Sequence, residues 1–341
     1  MKILITGVSG FVGEEIYNFF DKKSEHKIIG IDKNQDLSIN NSNFIKCDLI
    51  IDKNKLNKIF ADFLPDVIIH CASTILDTYD KDLVWKTNFH ATEDLVNLAS
   101  KYNVKKFIFI STFSIFQKNY DKPIDENEKP TYRTLYGKTK YLTEQMLLKS
   151  NFSGDICILR CPIILGKKRA YRFALLFGLI KENNNIPLIG DCKNKLSFIH
   201  VIDVCSAVEK FFTCGGKHIF NIAADEHEEF QYILKRLINK VNSKSKLKHF
   251  NKKIGNFIFD LITLFRLVPW TSYHKKIFNY SIILNTNKAK NILKWRPTYT
   301  VEKMFEENYL NCFQTSSSNP HSFSKKKVKE GFIFKIIKKI I

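Results

Sequence analysis

Tyr136 and Lys140 stand four residues apart in the run Tyr136-Gly137-Lys138-Thr139-Lys140. On a helix that spacing puts phenol and amine on one face. A phenol with its ordinary pKa of about 10 is a poor base at neutral pH. A neighbouring ammonium favours the phenolate and lowers that value. The tyrosine can then exchange a proton with a carbinol oxygen while a hydride leaves or rejoins the same carbon. Y-x-x-x-K is also common on solvated helices, so its weight depends on a partner that carries the hydride.

The start of the chain offers a place for one. Gly7, Gly10 and Gly13 are spaced G-x-x-G-x-x-G between the apolar run Lys2-Ile3-Leu4-Ile5-Thr6 and a helical pattern over residues 14–20. The chain must turn sharply there, let a pyrophosphate approach the backbone, and pack a helix on a sheet; each task favours a residue without a side chain. The helix entry at Phe11, Val12 and Gly13 presents N–H groups to the phosphates. Asp32 ends the next apolar run, 19 residues after Gly13. A carboxylate there accepts hydrogen bonds from the adenosine ribose and repels a 2′-phosphate, so NAD is expected over NADP, with Lys33 softening the preference. Asp48 and Leu49 are expected to flank the adenine, the competing role for Asp48 being a helix cap.

The elements that must hold these groups follow from the apolar pattern. Short runs at 2–6, 26–32, 43–49, 66–71, 106–111 and 156–160 read as buried strands, alternating with helices at 14–20, 53–63, 83–102 and 133–149. Alternation of this kind means crossovers and a parallel sheet, with ligand at the carboxyl ends of the strands. Beyond Gly166 the rhythm loosens to a helix at 171–181, a strand at 195–201, a helix at 204–212 and a strand at 219–223 able to rejoin the sheet.

Composition sets the outer bounds. Hydrophobic residues make up 44% and charged residues 26% of 341 residues, which excludes a wholly disordered chain and a collagen. The mean hydropathy of -0.19 and the lack of a long apolar run exclude a polytopic membrane protein. Lys and Arg number 54 against 34 Asp and Glu, a balance that suits a polyanionic partner, although a Lys- and Asn-rich composition explains much of it. The eight cysteines form no C-x-x-C pair, so no zinc ribbon, redox motif or other metal site is expected. With no signal peptide ahead of the first strand, the expected compartment is a reduced cytoplasm.

These blocks together resemble the extended short-chain dehydrogenase/reductase family, in its branch of NAD-dependent sugar epimerases and dehydratases. The family's TGxxGxxG is similar to Thr6–Gly13, its NxxGT to Asn88-Phe89-His90-Ala91-Thr92, and its strand-end Ser/Thr to Thr112 in Ser111-Thr112-Phe113-Ser114. Its arginine after the following strand corresponds to Arg160, its F-[IV]-H-V-x-D to Phe198-Ile199-His200-Val201-Ile202-Asp203, and its G-W-x-P to Lys294-Trp295-Arg296-Pro297. The resemblance implies an α/β, Rossmann-type, doubly wound parallel sheet with a smaller C-terminal α/β substrate domain. It divides the chain into an NAD-binding domain at 1–165, with 196–224 partly returning to it, a mainly substrate-binding region at 166–314, and a tail at 315–341. It implies that Thr112, Tyr136 and Lys140 are catalytic, that Lys140 also binds the nicotinamide ribose, and that Cys71, Ala72, Ser73 and Asn88 line the cofactor. His200 and Asp203 are expected to organise the second domain. The expected activity is epimerisation, at C4, of a nucleotide-linked sugar through a transient keto-sugar in surface-polysaccharide synthesis, by a homodimer.

Departures narrow that expectation. The dehydratases of the family carry Asp-Glu directly after the catalytic Thr; here the pair is Phe113-Ser114, which argues against elimination. Ile163 and Leu196 replace polar substrate contacts of the 4-epimerases, leaving Arg160 and Lys195 as the candidate substrate residues. A keto-sugar reductase, a 3β-hydroxysteroid-dehydrogenase-like oxidoreductase and a non-catalytic NAD-binding scaffold are the competing readings. The run 254–269 is too short, and too interrupted by Asp260 and Arg266, to span a bilayer; it is read as an amphipathic helix of the substrate domain, the alternative being a helix that lies on the membrane surface near a lipid-linked sugar. The end, 325–341, interleaves Lys with Phe and Ile, a pattern for peripheral contact with anionic lipid at the inner membrane face, near a lipid-linked sugar. No nucleic-acid motif is present.

Overall fold

The computed structural model describes residues 1–35, 43–74, 80–168, 173–253, 255 and 280–314. The tail 315–341 and all of the run 254–269 except Gly255 lie outside the described residues. The apolar runs pair into one seven-stranded sheet of order β10-β6-β5-β4-β1-β2-β3, parallel throughout. The strands are β1 (Lys2–Thr6), β2 (Lys27–Asp32), β3 (Phe44–Lys46), β4 (Val67–His70), β5 (Lys106–Thr112), β6 (Asp155–Cys161) and β10 (Lys217–Asn221). β1, β4, β5 and β6 are buried along almost their whole length, as strands covered by helices on both faces must be. From β1 the chain builds outward through β2 and β3, then returns to the other side of β1 with β4. The strand order therefore reverses between β1 and β4, where a crevice opens at the carboxyl edge.

One face is packed by α1 (Phe11–Asp21) and α7 (Val201–Phe211), whose Ile16, Phe20, Val204 and Phe211 are fully buried against the sheet. The other is packed by α2 (Lys53–Phe63), α4 (Ala91–Lys101) and α5 (Leu135–Lys149), through Phe60, Leu95 and Leu147. A further core lies beyond β6. It gathers α6 (Ala174–Lys181), α8 (Phe230–Lys240), the last helix α9 (Val301–Gln314), and the pair β8 (Ile186–Ile189) with β11 (Leu247–Phe250). Phe177, Leu188, Leu234, Met304 and Phe305 fill it. β7 (Ile163–Leu165) and β9 (Phe198–His200) pair at the join between the cores.

The expected return of the chain occurs: β10 pairs with β6 from Lys217↔Ile156 to Asn221↔Arg160. Three expectations are corrected. The helix expected at 83–102 is α3 (Lys81–Trp85), a π turn over Lys86–His90, and α4. The third strand spans only Phe44–Lys46. The strand expected at 195–201 shrinks to β9, with Lys195 and Leu196 making isolated bridges to Glu229 and Ile282.

Candidate active site

The glycine loop closes on the crevice between β1 and β4. Gly7 adopts φ +73°, and a Cβ on it would lie 2.6 Å from the backbone nitrogen of Ala72. A Cβ on Gly13 would overlap the Gly7 carbonyl. These positions exclude side chains by contact as well as by torsion. Gly10 caps α1 without a side-chain hydrogen bond, so the first turn keeps its N–H groups directed out of the helix end, as an anion requires. Asp32, at the tip of β2, accepts from the Ser9 N–H at 3.1 Å and the Asn34 N–H at 3.0 Å. Burial raises its pKa and these N–H donors oppose that shift. The carboxylate thus ties the glycine loop to the strand end where an adenosine ribose would sit. A cradle that a Cβ would fill, beside a carboxylate at the second strand's tip, fits a dinucleotide.

Asp48 and Leu49 sit after β3. Asp48 accepts from the Ile50 N–H at 2.8 Å and its own N–H donates to Asp52, the residue that caps α2. The Asp48 carboxylate therefore shapes the turn rather than capping the helix. Cys71 follows β4, and burial pushes its thiol up to about 12, which keeps it a neutral, weakly polar wall residue.

The phenol and the amine are positioned by α5. Thr134 caps that helix by accepting from the Gly137 N–H. Gln117 donates to both Thr134 Oγ1 and the Ser114 carbonyl at 3.1 Å, and accepts from the Arg133 N–H at 2.6 Å. A Cβ on Gly137 would lie 2.6 Å from the Ser114 carbonyl oxygen. The glycine inside Tyr-Gly-Lys-Thr-Lys is thus what lets α5 rest on the 3-10 turn Phe113–Ile115 and brings Tyr136, 9% exposed, to the segment carrying Thr112. Thr112 ends β5, accepts from the Ser114 N–H at 3.1 Å and donates to the Ser114 hydroxyl at 2.9 Å. Ser114 is therefore one hydrogen bond behind Thr112; the sequence reading weighed it only as a missing acid–base partner.

Lys140 is almost fully buried. Its Nζ donates to the Ile110 carbonyl at 2.6 Å and lies 3.9 Å from the centre of the Phe109 ring. Burial lowers its pKa to about 8 against the opposing pull of Glu144. The amine is still mainly cationic at neutral pH, in a site of low polarity where its field on a neighbour is strong.

Asn88 sits in the π turn, a local widening that re-aims a side chain. Its Oδ1 accepts from the Thr74 N–H at 2.8 Å and the Ser73 hydroxyl at 3.1 Å, and its Nδ2 donates to the Thr74 carbonyl and to Thr139 Oγ1. It clamps the segment after β4 to the helix that carries Tyr136.

One of the two candidate substrate residues is committed within the protein. Arg160 is buried in an ion pair: Nε and Nη2 bond both Glu144 oxygens at 2.8–3.2 Å, and Nη1 donates to the Glu126 carbonyl at 2.9 Å. Glu144 also accepts from Ser111 at 2.5 Å. This joins α5, β5 and β6 and commits the guanidinium to the protein. Glu144 was missed, although it follows Lys140 by four residues on the same helix face. Leu196 points into the second core and Lys195 is exposed, the opposite faces that strand alternation dictates.

The model of the NAD dependent epimerase/dehydratase family matches residues 3–223. A UDP-glucose 4-epimerase of Caenorhabditis elegans is 24% identical over 369 residues, covering 95% of this chain and 100% of that one. The solved structure of a UDP-glucose 4-epimerase from Thermotoga maritima with UDP-glucose superposes with a TM-score of 0.74 at 22% identity, covering 92% of this chain and 99% of that one. A UDP-glucuronic acid 4-epimerase from Bacillus cereus in complex with NAD gives 0.74 and 22%, with 92% and 99% covered. At these identities the solved structures establish a shared fold.

Proposed function

The chain belongs to the NAD dependent epimerase/dehydratase family, and from that premise we propose that it is an NAD-dependent epimerase of a nucleotide-linked sugar, acting at C4 through a transient keto-sugar. The observation that supports the reading is the seating of α5 on the turn after β5: a Cβ on Gly137, within the Tyr136–Lys140 run, would lie 2.6 Å from the carbonyl oxygen of Ser114, two residues past the strand-end Thr112. Gly7, Gly10, Gly13 and Asp32 would hold the dinucleotide, which when bound accepts and returns one hydride. Thr112 would hydrogen-bond the reacting hydroxyl, its own O–H turning from the Ser114 hydroxyl it meets in the structure. Tyr136 would take its proton and give it back, and the Lys140 ammonium would hold the phenolate. Dehydration is disfavoured because Phe113 and Ser114, both buried, supply no acid–base pair. The nucleotide carrier is supported by the substrate named for the Thermotoga protein. A homodimer and a place in surface-polysaccharide assembly rest on the resemblance alone.

A keto-sugar reductase is the second reading. Leu196, buried where a 4-epimerase would present a polar group, favours it. Purified protein is to be incubated with UDP-glucose, UDP-N-acetylglucosamine and UDP-glucuronate without reduced cofactor, and the sugars followed by proton NMR. Catalytic interconversion of C4 epimers, lost by about 10²-fold or more in Tyr136→Phe with dinucleotide binding intact, is the expected result. Conversion of the corresponding 4-keto-sugars only with stoichiometric NADH would replace the proposal with the reductase.

A further inference from the structure

Gln117 lies just past the 3-10 turn Phe113–Ile115, outside any helix or strand, and is fully buried. A primary amide is tolerated there only when its donors and its acceptor are met. Here they are met by two segments at once. Nε2 donates to the Ser114 carbonyl of the turn and to the side chain of Thr134, the cap of α5, each at 3.1 Å. Oε1 accepts from the Arg133 N–H at 2.6 Å. The carbonyl needs a donor and the N–H needs an acceptor, so a single orientation of the amide serves all three.

The backbone adds further ties. The Gln117 N–H donates to Thr131 Oγ1 at 2.9 Å, and the Thr131 N–H donates to the Ile115 carbonyl at 2.8 Å. The connection from 117 to 134 is thereby folded back, so that its end, where α5 starts, lies against its beginning. The Ser114 carbonyl has two roles at this contact. It receives the Gln117 amide, and it faces Gly137, where a Cβ would come within 2.6 Å. Whatever holds that carbonyl therefore also sets how closely the first turn of α5 approaches. On one side of the contact the Ser114 N–H and hydroxyl bond Thr112. On the other, Tyr136 is the neighbour of Gly137 in the chain.

We infer that Gln117 is a positioning residue: its amide clamps the entry of α5 to the turn after β5 and so sets the separation between Tyr136 and the segment carrying Thr112. The consequence for turnover rests on the reaction proposed above, whereas the clamp itself does not. A side chain without the amide nitrogen leaves the Ser114 carbonyl and the Thr134 hydroxyl short of a donor in a buried place. The two halves of the site then lose their fixed spacing, and a misplacement of about 1 Å is enough to cost on the order of a hundredfold in rate.

Two variants of the full chain remove the clamp. Gln117→Met keeps the length of the side chain and loses all three bonds; Gln117→Glu keeps the acceptor for Arg133 and turns an oxygen toward Ser114 and Thr134. Val96→Ala, a truncation of a buried residue of α4, is the control for lost stability. Amide hydrogen exchange is followed at the Gly137 and Lys138 N–H groups, which bond the Thr134 side chain and carbonyl. Both Gln117 variants should exchange there about tenfold faster or more, with the later turns of α5 unchanged, and Val96→Ala should not. On whichever UDP-sugar the wild type converts, kcat should fall by about ten- to a hundredfold in the Gln117 variants, while KM and dinucleotide affinity stay within about twofold. Unchanged exchange at Gly137 and Lys138 in both variants overturns the inference. So does faster exchange with an unchanged kcat, an equal effect of Val96→Ala, or a rise in KM as large as the fall in kcat. A wild type that converts no sugar, with or without NADH, counts against the proposed reaction instead, and the exchange readout then decides the clamp.

Discussion

Lys140 gives the reacting helix a pH signature. Its amine titrates at about 8 in the fold against an ordinary value of 10.5. Between those values the unfolded chain binds more protons than the native one, so this group makes stability rise with pH across that window. Buried thiols such as Cys71 and Cys161 have raised pKa values and push the other way at alkaline pH. The test is therefore a difference: urea unfolding of wild type and Lys140→Met from pH 7 to 10.5. The wild type should gain relative to the variant as pH rises, and parallel curves would remove the buried-ammonium account. His70 acts at the acid end. It bridges Thr6 Oγ1 at 2.6 Å and Thr92 Oγ1 at 2.9 Å, and burial lowers its pKa to about 3 from 6.5. Its contribution is complete above 6.5 and lost as pH falls toward 3. His70→Gln should consequently flatten the acid limb of the stability profile, read as denaturation midpoints across that range.

At the scale of elements, what matters is how α5 is fixed to the sheet, and here a buried ion pair adds to the apolar contact of Leu147. Glu144, Arg160 and Ser111 are all buried, and a buried carboxylate is tolerable only when its lone pairs are filled. Removing one partner strands the other charge. Glu144→Ala should cost about 3–5 kcal/mol in chemical unfolding, whereas Glu144→Leu with Arg160→Met should recover most of that loss. If the double variant is as unstable as the single one, the pair is not what holds the helix. The recovered variant should still turn over more slowly than wild type, because leucine and methionine do not fix the register of Tyr136. This anchor was only half legible in the sequence. Tyr136, Lys140 and the glycine loop announce themselves by spacing. Arg160 looked like a substrate contact because its partner lies on another element, and pairing across elements leaves no local pattern. The π turn at Lys86–His90 was hidden for a similar reason: the periodicity of 83–102 is helical throughout, and the extra residue answers to the Asn88 side-chain bonds rather than to the apolar face.

Across the whole molecule, the sheet and the second core are joined by a small set of polar contacts around β9 and α7. His200 caps α7 through the Ile202 N–H at 3.3 Å, faces Glu307 of α9 at 3.1 Å, and stacks on Tyr299 with ring centres 3.7 Å apart. Asp203 accepts from the Thr298 N–H and hydroxyl and from the Tyr299 N–H. Its carbonyl, with Ser206, takes the Trp295 indole N–H. The sheet was readable from apolar strands alternating with helices. The second core was not, because its strands are short and its contacts, such as those of Phe198 with Phe305, join residues far apart in the chain. The joint predicts a separation of effects. Asp203→Ala removes a buried acceptor of three hydrogen bonds and should cost about 3 kcal/mol or more. It leaves the glycine loop and Asp32 untouched. Dinucleotide affinity by calorimetry should then stay within about twofold of wild type, while the KM for the nucleotide-sugar rises by tenfold or so, a shift worth about 1.4 kcal/mol. A parallel loss of both would mean that the cofactor cradle depends on the second core, and that the two halves of the molecule form one cooperative unit.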